Sequence, residues 1–218
     1  MVAVRAMRYR ASGSAGERRQ ERGSRTAGPA AQGSPQGERV EISTEGRGRA
    51  AGIAALCEAA FTDAEGAEEG ALIGDLARRM LADTPAADLR VVTAREGGVP
   101  IGAVLFSRLA YEGEARVVFV MGPVAVAPAR QGEGVGTALI AHGLDLLRRE
   151  GVDIAVTYGD PAYYGRLGFS PVGVAQVAAP YPLQQPRGWQ AQSLTGAPLT
   201  PLAGPARCVP ALADPVYW

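Results

Sequence analysis

Lysine is missing altogether: the basic residues, 22 against 22 acidic ones, are all arginine. Set among so much Ala, Gly and Pro, this reads as codon bias in a GC-rich genome, not as selection for guanidinium chemistry. Formal net charge is +0, so no global field draws the chain to nucleic acid or to an anionic membrane. Histidine occurs once, at His142. The two cysteines, Cys57 and Cys208, are far apart and without metal-ligand spacing. That excludes a disulfide framework and a cysteine-based metal site, and the simplest reading is two free thiols in a reducing cytoplasm. No apolar run reaches the length needed to span a bilayer.

What is present is unevenly distributed over 218 residues, enough for one domain with a sizeable core and a tail besides. Residues 1–39 are Arg, Gly, Ser, Ala and Gln with few large apolar side chains, which bury too little surface to offset the entropy of ordering them. We read 1–39 as a disordered N-terminal arm or an over-extended start, in preference to a basic arm for RNA or an acidic partner, or a transit peptide. Steep salt dependence of nucleic-acid binding, lost on deleting 1–39, would mark the RNA reading.

The folded domain is expected over 40–218. Val40 and Ile42 alternate with charged residues as in a short strand. Ile53, Leu56, Ala60 and Phe61 share one side of a helix over 50–61, and Leu72, Ile73, Leu76, Met80 and Leu81 repeat that pattern until Pro85. The acidic stretch 62–70 between them reads as a flexible loop, able to draw a cationic ligand but more simply solvated. Strands over 89–94 and 101–109 flank the turn 96–100, and another runs over 116–126 with a bulge at Met121-Gly122-Pro123. Glu112 and Glu114 fall in a turn and are expected to be solvated.

The most informative stretch is 124–169. A strand ends at Pro128, a glycine-rich turn leads into an amphipathic helix over 135–150 with Gly151 at its end, and a second strand precedes a Tyr-Tyr pair ahead of Gly168-Phe169. Gly132, Gly134 and Gly136 allow close backbone approach, and the N–H groups from Gln131 through Glu133 and Val135 to Thr137 lie at the positive end of a helix dipole. This is a ready site for a phosphate-bearing ligand. Arg130 either pairs with that phosphate or is solvated. The spacing Gly-x-Gly-x-Gly is not the Gly-x-Gly-x-x-Gly of dinucleotide folds, which argues against an NAD site. His142 lies off the apolar stripe of the helix and reads as a surface residue.

Gln131 to Gly136 resembles the Q/R-x-x-G-x-G/A signature of the GNAT (Gcn5-related) N-acetyltransferases. Tyr163 to Phe169 resembles that superfamily's aromatic-Tyr-x-x-x-Gly-Phe element, and the block 159–164 is similar to the YhbS-type members. Two motifs in order, one helix and one strand apart, make the signal specific.

The resemblance implies an α/β GNAT fold, a mixed, mostly antiparallel sheet with splayed central strands and helices on both faces. It also implies acetyl-CoA as co-substrate, with no metal. The backbone of Val124, Ala125 and Val126 would hold the pantetheine amides in the gap between the splayed strands, in the manner of an added strand. Arg130 to Thr137 would take the phosphates. Tyr164 occupies the position whose hydroxyl protonates the departing CoA thiolate in many members, with Tyr163 packed beside it. The activity implied is acetyl transfer to a primary amine of a small molecule or peptide, by direct attack of that amine on the acetyl carbonyl. The protein's own chain offers it no lysine. The alternative is a non-catalytic acyl-CoA-binding module, kept open because the fourth strand carries no carboxylate to serve as base. Asp160 can relay a proton through water or cap its Asp-Pro turn, and capping is preferred. A bound water is another candidate base. Beyond Phe169, apolar anchors from Trp189 to Trp218 imply an ordered strand and an extended wrap. Tyr217-Trp218 packs onto the domain or, alternatively, meets a second subunit in a homodimer. No membrane or nucleic-acid partner is expected.

Overall fold

The computed structural model describes residues 40–44 and 47–218. The expected arm over 1–39 lies outside them. Glu41–Ser43 forms β1, followed by helices α1 (Ala50–Glu65) and α2 (Ala67–Asp83). Leu89–Glu96 (β2) and Val99–Tyr111 (β3) make a hairpin, closed at Gly97-Gly98 by two glycines with positive φ. Val118–Val126 is β4, Val135–Arg149 is α3, and Ile154–Tyr158 is β5. The short helix α4 (Pro161–Tyr164) precedes β6 (Ser170–Pro171), β7 (Trp189–Ser193) and β8 (Ala206–Cys208).

The strands form one sheet in the order β1-β2-β3-β4-β5-β7-β6, with β8 added to the end of β3. All pairs are antiparallel except β4 with β5. Sheet strands with both faces covered read as near-continuous apolar runs, and β4 is buried along its whole length. One face packs against α1 and α2 through Ile53, Phe61, Leu76 and Met80. The other packs against α3 through Leu139, Ile140, Leu144 and Leu147.

The acidic stretch 62–70 is not a loop. α1 continues to Glu65, Gly66 alone breaks it, and α2 starts at Ala67. The reason is steric. A Cβ on Gly70 would lie 2.7 Å from the Glu58 carbonyl oxygen, and one on Gly74 would lie 2.8 Å from the Glu58 Cβ, so these glycines let the helices close face to face. Glu69 is thereby buried. Charge density made this segment read as solvent-facing, and close helix packing overrode it.

Glu114 is not solvated either. Its carboxylate takes two hydrogen bonds from the Arg116 guanidinium, at 2.7 and 2.9 Å, and one from the Arg116 backbone N–H at 3.0 Å. It also accepts from the Ala203 N–H. The Arg116 side chain and then its amide hold the Glu114 pKa down to about 2. Glu112 is exposed as expected, 3.2 Å from Arg207.

Past Phe169 the chain wraps as the apolar anchors imply. β7 pairs with β5 along all of its length, from Ile154↔Ser193 to Tyr158↔Trp189. Trp189, Leu212, Tyr217 and Trp218 are buried in the core on the α1–α2 face. The terminal Tyr-Trp pair therefore packs onto its own domain.

Candidate active site

The site is built where β4 and β5 part. Their parallel pairing runs from Val118↔Ile154 to Met121↔Thr157 and stops. At that level β4 carries an extra residue. On β3, Val104 and Phe106 are two residues apart, whereas their partners Val124 and Met121 are three apart. The bulge so defined contains Gly122 and Pro123, joined by a cis peptide bond. A bulge bends its strand and increases local twist. Beyond it β4 stays with β3 (Val104↔Val124, Ala103↔Ala125, Gly102↔Val126) but has no strand partner on the β5 side.

Alternation decides what faces that opening. Successive residues of an antiparallel strand turn their N–H and C=O to opposite edges. The Ala127 N–H donates to the Ile101 carbonyl on β3, so Ala125 shares that edge. Val124 and Val126 present their backbone polar groups to the opening. Consistently, the Gln131 side-chain amide reaches the Val126 carbonyl, at 3.5 Å.

The opening leads to the N-terminus of α3. Pro128–Arg130 forms one 3-10 turn, and Gly134 caps the helix in the left-handed conformation, φ 83° and ψ 0°, with no side-chain cap. The first N–H groups of a helix have no intrahelical acceptor, so the amides at this end are left for a ligand or water. Gly136 sits close to the Tyr163 side chain: a Cβ there would lie 3.1 Å from the Tyr163 hydroxyl. Tyr163 therefore lies over the first turn of α3, a placement that the motif alone did not reveal.

Arg130 is half-buried and held in ion pairs. Its guanidinium lies 2.9 Å from Glu96 and 3.3 Å from Glu133. These two carboxylates more than offset its single charge.

Tyr164 is 1% exposed. Its N–H donates to the Asp160 carbonyl, its own carbonyl accepts from Phe169, and its ring stands edge-on to Tyr163 and Phe169. Burial, chiefly, pushes its pKa above the ordinary phenol value, and the negative charge of Asp160 adds to the rise. The hydrogen bond with Thr157 acts the other way. Thr157 is the last β5 residue paired with β4. Asp160 caps its turn by accepting from the Ala162 N–H at 2.9 Å. His142 is half-exposed on α3, away from the opening.

On the α1–α2 face, Ala60, Phe61, Ala64 and Glu65 close around Val124 and leave no space for a water molecule. Among the described residues, no cluster of three His, Cys, Asp or Glu side chains could hold a metal ion, and no helix is long and apolar enough to cross a membrane.

A sheet that opens at a bulged strand, with an uncapped helix N-terminus at the end of the gap, defines a fold made to receive an extended phosphate-bearing cofactor. Residues 53–169 match the Acetyltransferase (GNAT) family, and the chain belongs to that family. It is 38% identical over 146 residues to the uncharacterized N-acetyltransferase YjhQ of Escherichia coli K12, covering 65% of this chain and 78% of that protein. It is 36% identical over 131 residues to the uncharacterized N-acetyltransferase YhbS of the same strain, covering 60% and 71%. In three dimensions it resembles the E. coli YhbS structure in complex with CoA, with a TM-score of 0.67, 26% identity, and 84% of this chain and 97% of that one covered. A Brucella melitensis GNAT acetyltransferase in complex with acetyl-CoA superposes with a TM-score of 0.63 at 30% identity, covering 80% and 99%.

Proposed function

We propose that this protein is an acetyl-CoA-dependent N-acetyltransferase, an acyltransferase of groups other than aminoacyl groups, acting on a primary amine of a small molecule or peptide. The observation that carries the reading is the open edge of Val124 and Val126 beside the uncapped start of α3. The pantetheine arm of acetyl-CoA runs along that edge, exchanging hydrogen bonds with the two residues as an added strand would. Its pyrophosphate lies against the N–H groups that lead into α3. That YhbS and the Brucella protein were solved with CoA and acetyl-CoA respectively supports such a cofactor for this fold.

The amine is neutral when it attacks. Tyr164, kept protonated by burial, supplies the proton to the departing thiolate. Glu114, held near 2 by Arg116, is no proton acceptor at neutral pH, and water takes the proton from nitrogen. Holding both reactants in line supplies much of the acceleration.

Thiol release from acetyl-CoA against a panel of amines tests the activity, with calorimetry for binding. Release with one class of amine supports the transferase. Binding without release by any amine favours an acyl-CoA-binding module, and no binding overturns the reading.

The phosphate loop makes a separate prediction. A Cβ at Gly134 meets nothing within 4 Å, so Gly134→Ala adds no clash and only the penalty of a left-handed non-glycine residue, about 1–2 kcal/mol. Relief of that strain turns the amides away. Calorimetry is expected to show acetyl-CoA bound about tenfold more weakly, and an unchanged dissociation constant would remove Gly134 from the site.

A further inference from the structure

The two tyrosines of α4 end in different surroundings. Tyr164 is buried, whereas Tyr163 is partly exposed and its hydroxyl reaches the first turn of α3. The short helix fixes where that side chain starts. The Asp160 carboxylate accepts from the Ala162 N–H at 2.9 Å, and the Asp160 carbonyl accepts from the Tyr163 N–H at 3.1 Å. The Tyr163 ring is then held edge-on to Tyr164, with centroids 5.1 Å apart, and packs against the apolar cluster between α3 and the sheet.

Gly136 is the second residue of α3, and a Cβ on it would lie 3.1 Å from the Tyr163 hydroxyl and 3.5 Å from Val126 Cγ2. In a helix the Cα–Cβ bond tilts toward the N-terminus. The hydroxyl therefore stands on the N-terminal flank of α3, beside the last residue of β4. That point lies between the open edge of Val124 and Val126 and the amides that start α3, so a ligand spanning the two passes it. The loop 127–137 holds one cation, Arg130, and two carboxylates share it. Neutral donors therefore matter for a phosphate here, and a phenol hydroxyl is one.

We infer that Tyr163 is a cofactor-binding residue whose hydroxyl donates to a pyrophosphate oxygen of acetyl-CoA at the start of α3. This inference rests on the proposed binding of acetyl-CoA. The two tyrosines then divide the work: Tyr163 holds the phosphate end, and Tyr164 serves the thiol. Because α4 and the ring contact fix the phenol beforehand, little side-chain freedom is lost when the cofactor binds. The pyrophosphate keeps its charge through the reaction, so this bond acts on KM and not on kcat.

Tyr163→Phe removes the hydroxyl and keeps the ring with its edge-on contact to Tyr164. Calorimetry is expected to show acetyl-CoA bound about tenfold more weakly than by wild type, the effect of one hydrogen bond to a charged group. 31P NMR of CoA bound at saturation locates the contact. The pyrophosphate resonances should differ between wild type and Tyr163→Phe, while the 3′-phosphate resonance coincides. With an amine that is turned over, the KM for acetyl-CoA should rise about tenfold, with kcat within about twofold of wild type. A dissociation constant in Tyr163→Phe within about twofold of wild type overturns the inference. Weaker binding with unmoved pyrophosphate resonances does so too, since it places the hydroxyl elsewhere on the cofactor. A wild type that binds no acetyl-CoA overturns the proposed function and this inference with it.

Discussion

Tyr164→Phe is expected to lower kcat about tenfold or more, within the range that general acids contribute, while acetyl-CoA still binds. The ring keeps its edge-on contacts with Tyr163 and Phe169, so packing is preserved and only the hydroxyl is lost. Residual turnover should remain, because positioning of the reactants survives. The pH dependence follows from the direction of the shift. Burial raises the Tyr164 pKa above the ordinary phenol value, and a general acid works in its protonated form. The wild-type rate should therefore rise with pH as the amine loses its proton, with no alkaline fall below about pH 10, the ordinary phenol pKa. Steady-state kinetics over that range check both points. An alkaline fall well below that pH, absent from Tyr164→Phe, would mean that the phenol ionises more readily than a free one and is not sheltered.

Trp218→Ala is expected to cost about 3–5 kcal/mol of stability, the usual penalty for deleting a large buried aromatic side chain. The indole is fully buried, stands edge-on to Trp189 with ring centroids 5.9 Å apart, and donates from Nε1 to the Leu212 carbonyl at 3.0 Å. Truncation empties that volume and leaves the carbonyl without its donor. Trp189 is also the β7 residue paired with Tyr158 at the end of β5, so loosening the wrap reaches the strand that carries Thr157. Urea denaturation measures the effect. A midpoint within error of the wild type would show that the C-terminal wrap contributes little to the fold.

Much of this was legible in the chain because it follows from local chemistry. Gly132, Gly134 and Gly136 ahead of an amphipathic helix identify a loop that presents amides, and that depends only on neighbouring residues. The helix over 135–149, the glycine turn at 97–98 and the bulge at 121–123 are marked by periodicity, turn residues and the inability of Pro and Gly to continue a ladder. The apolar anchors from Trp189 to Trp218 announced an ordered wrap, because side chains of that size are seldom left in water.

What the sequence by itself determined, then, is the order of the elements, the family and the motif residues. Tertiary structure decided which of their atoms meet. The acidic run 63–69 looked like a solvated loop until Gly70 and Gly74 brought α2 onto α1. Arg130 looked available until the end of β2 placed Glu96 beside it. Thr157 gave no signal as one hydroxyl in an apolar strand, and its position at the last rung of β4–β5 arises only when strands 36 residues apart pair. Contacts between residues distant in sequence are set by how the layers pack, and no local pattern encodes them.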